Sequence, residues 1–314
     1  MVSIRAFIIR QISKQVMKRS LITSDPLSAR RDFHNRMTRM PLARGVQSAQ
    51  ENVGGIDCEW LTPQGCEDAP VIYFLHGGAY IMGSPATHRR LVSFVANSAQ
   101  MRAVLPDYRL APEHRFPSQL EDSLEVWRTL VKGGIDPANM AIGGDSAGGN
   151  LSVATMLALR DAGEALPAAC FLLSPWLDLA GDGESHNTRS DYDPWFKPEK
   201  MPDVVAFFCD EAEWREPLVS PVHADASNLP PTLIQVGDHE ILLSDSTVFA
   251  DNIKSAGGRV DLHIWPDMWH VFQYFVGQMP ESRKAIDDIG RFLRSEFATD
   301  RIDPVIPRTV QGML

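Results

Sequence analysis

Gly144-Asp145-Ser146-Ala147-Gly148 is the stretch whose reading decides the fold. The apolar run Asn139-Met140-Ala141-Ile142-Gly143 leads into it and reads as a strand. Asn150-Leu151-Ser152-Val153-Ala154-Thr155-Met156-Leu157-Ala158-Leu159 leads out and reads as a helix. A serine with a glycine two positions away on each side, at a strand-to-helix junction, is the sequence form of a nucleophile elbow. So tight a turn leaves no room for a side chain at Gly144 or Gly148, and it pushes the serine into a strained conformation with its hydroxyl exposed. The competing reading is a glycine-rich loop that cradles a phosphate at a helix N-terminus. Neither a Lys-Ser/Thr ending nor a dinucleotide fingerprint accompanies the motif, which disfavours that reading.

Outward from the elbow, strands alternate with helices. Upstream, Val46 to Val53, Gly54-Gly55 and Ile56 to Thr62 read as a β-hairpin. Pro70 to Leu75 is a continuous apolar run of the kind a sheet buried on both faces requires, and it ends in His76-Gly77-Gly78-Ala79-Tyr80. A strand at Arg102 to Leu105 precedes Pro106-Asp107-Tyr108-Arg109-Leu110-Ala111-Pro112-Glu113, and Leu120 to Val131 reads as a helix burying Leu124, Trp127 and Val131. Downstream, strands are expected at 168–173, 231–237 and 260–264, with helices at 244–256 and 282–297. Such alternation implies a mostly parallel sheet with helices on both faces, entered through an antiparallel hairpin.

Two segments fall outside the alternation. Met1 to about Arg44 reads as helical, broken at Ser24-Asp25-Pro26. The stretch from Asp182 to Glu216 is rich in Asp, Pro and aromatic residues, including Trp195, Phe196, Phe207, Phe208 and Trp214. Both are expected to cap the strand ends. The organisation expected is therefore cap helices at 1–45, core at 46–181, a cap insertion at 182–216 and core again at 217–314.

The 314 residues suit one large α/β domain with insertions or two modest domains, and a 44% apolar content suits a sizeable core. A formal charge of −10 argues against nucleic acid or an anionic membrane as a main partner. Cys58, Cys66, Cys170 and Cys209 have neither metal-ligand spacing nor disulfide-scaffold density, so free thiols in a reducing cytoplasm are expected. In Met1 to Leu21, Arg5, Arg10, Lys14, Lys18 and Arg19 interrupt any signal-peptide core, and no run approaches the ~20 apolar residues of a span. An amphipathic helix covering something apolar is expected there, with attachment to a membrane surface as the competing reading and no stable membrane insertion.

Ligands on a sheet of this kind bind beyond the carboxyl ends of the strands, where His76-Gly77-Gly78, Ser146, Asp238-His239-Glu240 and His270 all fall. A serine hydroxyl needs a base to take its proton during attack. His270 follows the last strand, on a loop that can carry it back over the strand ends, and Gly237-Asp238-His239-Glu240 offers two carboxylates to orient it. The order nucleophile, acid, histidine is that of the α/β-hydrolases. Attack on an ester creates an oxyanion that needs preplaced N–H donors. Ala147 can give one, and Gly77 and Gly78, free of side chains, can give others.

Together these residues resemble the hormone-sensitive-lipase-like (bacterial family IV) esterases of the α/β-hydrolase fold. The matching words are His76-Gly77-Gly78, Tyr108 to Glu113, Gly144 to Gly149, Ser174-Pro175-Trp176-Leu177-Asp178 and Trp269-His270. The resemblance runs from about Val46 to the C-terminus, and the N-terminal helices look like that family's cap. It implies oxyanion donors at Gly77, Gly78 and Ala147, and short-chain acyl esters in a pocket closed by the cap. Ala79 stands where the family usually has a third glycine. His76 is expected to brace this loop, and Asp107, Arg109 and Glu113 to hold the loop beside the elbow. Trp195 or Phe207 is the candidate lining of the acyl pocket.

The resemblance also ranks the acids. The family's acid is followed two positions later by an apolar residue and then by polar residues opening a helix. Counting from Glu240 gives Leu242, then Ser244 and Asp245 as candidate N-caps, whereas counting from Asp238 fits neither. The sequence thus predicts a serine carboxylesterase for small-molecule short-chain acyl esters. It would work through Ser146, His270, Glu240 and an acyl-enzyme, with no cofactor or metal, and is compatible with a homodimer. The alternatives are a lactone hydrolase using the same chemistry, or a non-catalytic small-molecule receptor on this fold.

Overall fold

The computed structural model describes residues 2–17 and 25–298. The parts of the expected N-terminal helical segment at 18–24, and of the expected core beyond 298, lie outside the described residues. In chain order the elements are α1 (Ile4–Met17), α2 (Pro26–Met37), β1 (Val46–Val53), β2 (Ile56–Pro63), β3 (Val71–Leu75), α3 (Pro85–Ala99), β4 (Arg102–Pro106) and α4 (Ser118–Lys132). There follow β5 (Met140–Asp145), α5 (Ala147–Asp161), β6 (Ala169–Leu173), α6 (Ser185–Thr188), α7 (Met201–Phe208), β7 (Thr232–Gly237), α8 (Leu243–Ser255), β8 (Val260–Trp265) and α9 (Pro280–Glu296).

All eight strands form one sheet in the order β1-β2-β4-β3-β5-β6-β7-β8. The pairs β1–β2 and β2–β4 are antiparallel, and every pair from β4 to β8 is parallel. The hairpin turns on Gly54 and Gly55, both with positive φ, as a two-residue turn matched to strand twist requires. Burial follows position. β3, β5, β6 and β7 are buried at every residue, because helices cover both faces, whereas the edge strand β1 is mostly exposed and polar.

Alternate residues of each strand feed two cores. Val71, Tyr73 and Leu75 join one, and Ile72 and Phe74 the other. α3 and α9 pack on the Ile72 side, and α4, α5 and α8 on the Tyr73 side. The sequence reading did not identify α3, although Ser84 and Thr87 close a capping box there and Pro85 occupies its first turn. Of the three residues expected on the buried face of α4, Trp127 is buried with Leu120, Ser123, Val126 and Leu130, while Leu124 and Val131 are half-buried against the same core. The four cysteines are free and buried.

α2 starts at Asp25, whose carboxylate accepts the N–H of Leu27, with Pro26 in the first turn. Arg30 fastens the helix to the core. Its guanidinium donates to the carbonyls of Ile81 and Ala111 and forms a two-pronged pair with Glu113 at 2.9 Å. None of the described helices is long and apolar enough to cross a membrane.

Candidate active site

β5 delivers Ser146 beyond the carboxyl end of the sheet, and α5 begins one residue later. Ser146 has φ 53° and ψ −122°, a strained backbone for a residue with a side chain. Neighbouring backbone imposes it. The Ser146 N–H donates to the Leu173 carbonyl at 2.9 Å, and the Ser146 carbonyl accepts from Trp176 and Asn150. A side chain at Gly148 would run into the backbone of Leu75 and His76, so the helix can approach the sheet this closely only with glycine there.

His270 sits in the loop after β8, buried, with Nδ1 2.9 Å from Glu240 Oε2. Glu240 is fully buried in the turn after β7, and its second oxygen, Oε1, accepts from Ser174 Oγ at 2.9 Å and from the Gly237 N–H. The other carboxylate in this turn, Asp238, points elsewhere: its Oδ1 accepts the N–H of Asp267 at 2.6 Å. The expected caps of the following helix need correcting. α8 starts at Leu243 with no side-chain cap, and Ser244 and Asp245 lie inside its first turn. Asp245 instead accepts the N–H groups of Leu177 and Asp178 at 2.8 and 2.9 Å.

The loop Gly77–Met82 forms the facing wall. Gly78 has φ +123°, and a side chain there would meet the Met82 backbone; Ala79 and Tyr80 also have positive φ. The expectation of Gly77 as an oxyanion donor does not survive this geometry. Its N–H donates to Asp145 Oδ1 at 3.0 Å, and the residue does not line the cavity. Gly78 and Ala79 do line it. Among the described residues, the N–H groups of Gly78, Ala79 and Ala147 donate to no protein acceptor.

Beneath this loop lies a buried polar cluster. Asp145 accepts from Gly77 and from Tyr274 Oη at 3.2 Å, and His88 Nε2 lies 3.4 Å from its carboxylate. Burial alone would raise the Asp145 pKa, but the neighbouring His88 and the Gly77 N–H outweigh it and hold the carboxyl below its ordinary value. His76 stacks on Tyr108 with ring centroids 4.1 Å apart and contacts the Gly77 carbonyl through Nδ1 at 2.9 Å. Burial and the nearby His88 push its pKa down to about 3, so it is neutral at pH 7.

Ser146 and His270 open onto one apolar cavity of about 70 Å³, whose walls include Ile81, Trp195, Phe196, Met201 and Val204. The ring of Phe196 meets His270 edge-on at 4.7 Å, and that of Trp195 does so at 5.7 Å. Phe207, the other aromatic candidate, packs against the large core cluster and is not part of the lining. Reasoning from sequence missed Asp193, which holds Trp195 and Phe196 in place. Its Oδ1 accepts their N–H groups at 2.7 and 2.9 Å, and its Oδ2 accepts that of Ile241, next to Glu240, at 2.9 Å. Burial raises the Asp193 pKa to about 6. Nothing local singled it out among the many aspartates of this segment.

One group among the described residues has ligand spacing for a metal, namely Asp178, Asp182 and His223. Protein donors already engage it: Asp178 accepts from Gly181 and Gly183, and Asp182 pairs with Arg215 at 2.7 Å.

Residues 72–274 match a family described by the alpha/beta hydrolase fold. The chain is 39% identical to an acetyl-hydrolase of Streptomyces hygroscopicus over 77% of its own length and 81% of that protein's. It is 37% identical to an esterase of Acinetobacter venetianus, with 80% and 82% covered. A crystal structure of an esterase from the bacterial hormone-sensitive lipase family superposes with a TM-score of 0.90 at 39% identity, covering 94% of this chain and 99% of that one.

Proposed function

Because the chain belongs to the hormone-sensitive-lipase-like esterases of the α/β-hydrolase fold, and so is a carboxylic ester hydrolase, we propose that Ser146, His270 and Glu240 are its catalytic triad and short-chain acyl esters its substrates. The observation that carries the triad is the 2.9 Å contact of His270 Nδ1 with the buried Glu240 carboxylate, beside a serine on a strained elbow facing the same cavity.

In this reading Ser146 Oγ attacks the ester carbonyl carbon while His270 Nε2 takes its proton. Glu240 fixes the tautomer that carries hydrogen on Nδ1 and stabilises the imidazolium as it forms. The oxyanion accepts from the N–H groups of Gly78, Ala79 and Ala147, which have no other protein acceptor among the described residues. The tetrahedral intermediate collapses, the C–O bond to the alcohol breaks, and His270 returns the proton to the departing oxygen. Water then attacks the acyl-Ser146 ester by the same route and releases the acid.

The small apolar cavity supports a short acyl group. Within 1–45, α2 reaches the cavity through Phe33, and with the 182–216 segment, whose 195–204 stretch contributes to the walls, it is read as the cap; no described residue of α1 lines the cavity. The test is a fluorophosphonate label followed by peptide mass spectrometry, with p-nitrophenyl esters from acetate to palmitate assayed in parallel. Label on Ser146 and a rate maximum below about eight carbons are expected. Label elsewhere removes the triad, and equal rates on palmitate remove the capped pocket.

A further inference from the structure

α1 has two apolar faces, and among the described residues only one of them is covered. Ala6, with Val2 and Ile9, packs on the cluster of Met268, Trp269 and Phe272. The N–H and hydroxyl of Ser3 donate to Glu281 at 2.6 and 3.0 Å, and Arg10 donates to the Tyr192 carbonyl at 2.9 Å, so the helix is held against the core. On the opposite side Ile4, Phe7, Ile8 and Ile12 are 79%, 58%, 50% and 58% exposed. At ~100° per residue these four fall within an arc of roughly 140°, and Gln11 and Gln15 fall inside it by position. Arg5 stands at one border of the arc and Lys14 at the other.

Charge identifies what fits this face. α1 contains no acidic residue, and the first 24 residues hold five basic side chains and none of the 40 acidic ones in the chain. The net charge of −10, which argued against anionic partners, is therefore absent from this end. A second copy of the chain seated symmetrically here would bring the basic borders against each other. An anionic lipid surface presents the opposite charge to both borders and an apolar layer to the residues between them.

We propose that the outer face of α1 docks this protein on the surface of a bilayer containing anionic phospholipid, with the helix lying in the interface plane. This is adsorption rather than insertion, and it rests on α1 alone, independently of the esterase reading. Its consequence for that site is positional. Trp195 packs against the cluster that α1 covers and also meets the His270 ring. Docking would therefore bring the cavity close to where apolar esters concentrate.

The test is co-sedimentation of the full chain with vesicles of phosphatidylcholine alone or with about one-third phosphatidylglycerol, at low and high salt. Binding to the anionic vesicles at low salt, weakened by salt, is expected. F7E/I8E should cut the bound fraction at least about tenfold while hydrolysing soluble p-nitrophenyl acetate at the wild-type rate. R5Q/K14Q should weaken binding roughly fivefold for each charge removed. No sedimentation with anionic vesicles, or equal binding by F7E/I8E, overturns the proposal. So does sedimentation velocity showing a wild-type dimer that F7E/I8E converts to monomer, because a second copy then covers the face.

Discussion

Ser174 Oγ donates to Glu240 Oε1 at 2.9 Å and, with the same oxygen, accepts the N–H of Val271 at 3.1 Å. One hydroxyl thus joins the end of β6, the turn carrying Glu240 and the loop carrying His270. Ser174 has φ +45°, a strained conformation that points its side chain into this junction. Ser174→Ala removes a hydrogen bond to a buried carboxylate, a change worth roughly tenfold to a hundredfold. The loss is expected in kcat with KM nearly unchanged, because no atom that touches substrate is altered. A KM change with kcat intact would instead place Ser174 in substrate binding.

On the proposed triad, Glu240→Gln keeps the shape of the acid but removes the charge that would fix the His270 tautomer. A fall in turnover of up to about four orders of magnitude is expected. Asp238→Asn removes a carboxylate engaged with the Asp267 backbone, away from His270, and should cost no more than a few-fold. Steady-state kinetics of the two folded variants decide it, and the reverse ranking would give the role to Asp238.

Asp145→Asn should slacken the oxyanion loop. One carboxylate oxygen accepts the Gly77 N–H and the other meets Tyr274 Oη, so the amide can keep the Gly77 bond only with its NH2 turned to the hydroxyl, which must then accept, and the negative charge beside His88 is lost in either orientation. A stability loss of about 1–3 kcal/mol in urea unfolding is expected, together with a lower kcat. An unchanged urea midpoint would show that the loop is held by other contacts.

Acid should weaken the same loop through His76. Its pKa falls from an ordinary 6.5 to about 3 on folding, so as pH drops between these values the unfolded chain takes up a proton that the folded one does not. The stability it contributes is complete above 6.5 and is lost progressively towards pH 3. Asp193 and Asp245, both raised to about 6 from 3.8, act in the opposite sense: the folded state gains as they protonate, and loses as pH rises through 6. Comparing wild type with His76→Asn isolates the histidine. The difference in unfolding free energy should shrink by up to about 1.4 kcal/mol per pH unit below 6.5. A constant difference between pH 7 and pH 5 would mean that His76 is not buried neutral.

Met201→Ala enlarges the cavity at a residue that lines it together with Ser146, leaving Ser146 and His270 themselves unchanged. The ratio of hexanoate to butyrate hydrolysis should rise by about tenfold, the lower end of the ~10–200-fold scale of one methylene in a tight pocket. An unchanged ratio would place the acyl chain against another wall.

What the sequence determined by itself is what local pattern encodes. β3, β5, β6 and β7 announce themselves as unbroken apolar runs because burial on both faces leaves no polar position to alternate with them. The elbow at Ser146 is legible because only glycine fits two residues to either side of it. α3 is less legible because its buried face opens with the polar Thr87 and His88 and becomes apolar only from Leu91. Other features depended on tertiary structure. Gly77 and Ala79 look alike as oxyanion donors until Asp145, 68 residues away in the chain, takes the Gly77 N–H. Whether Phe196 or Phe207 faces His270 has no periodic signature, because Asp193 sets the path of that irregular segment by gripping it from Ile241. The outer face of α1 likewise needed the fold, since its two apolar sides are equivalent until the Met268–Trp269 cluster covers one and leaves the other open. A period records that residues share a face, whereas contacts between distant segments decide what that face meets.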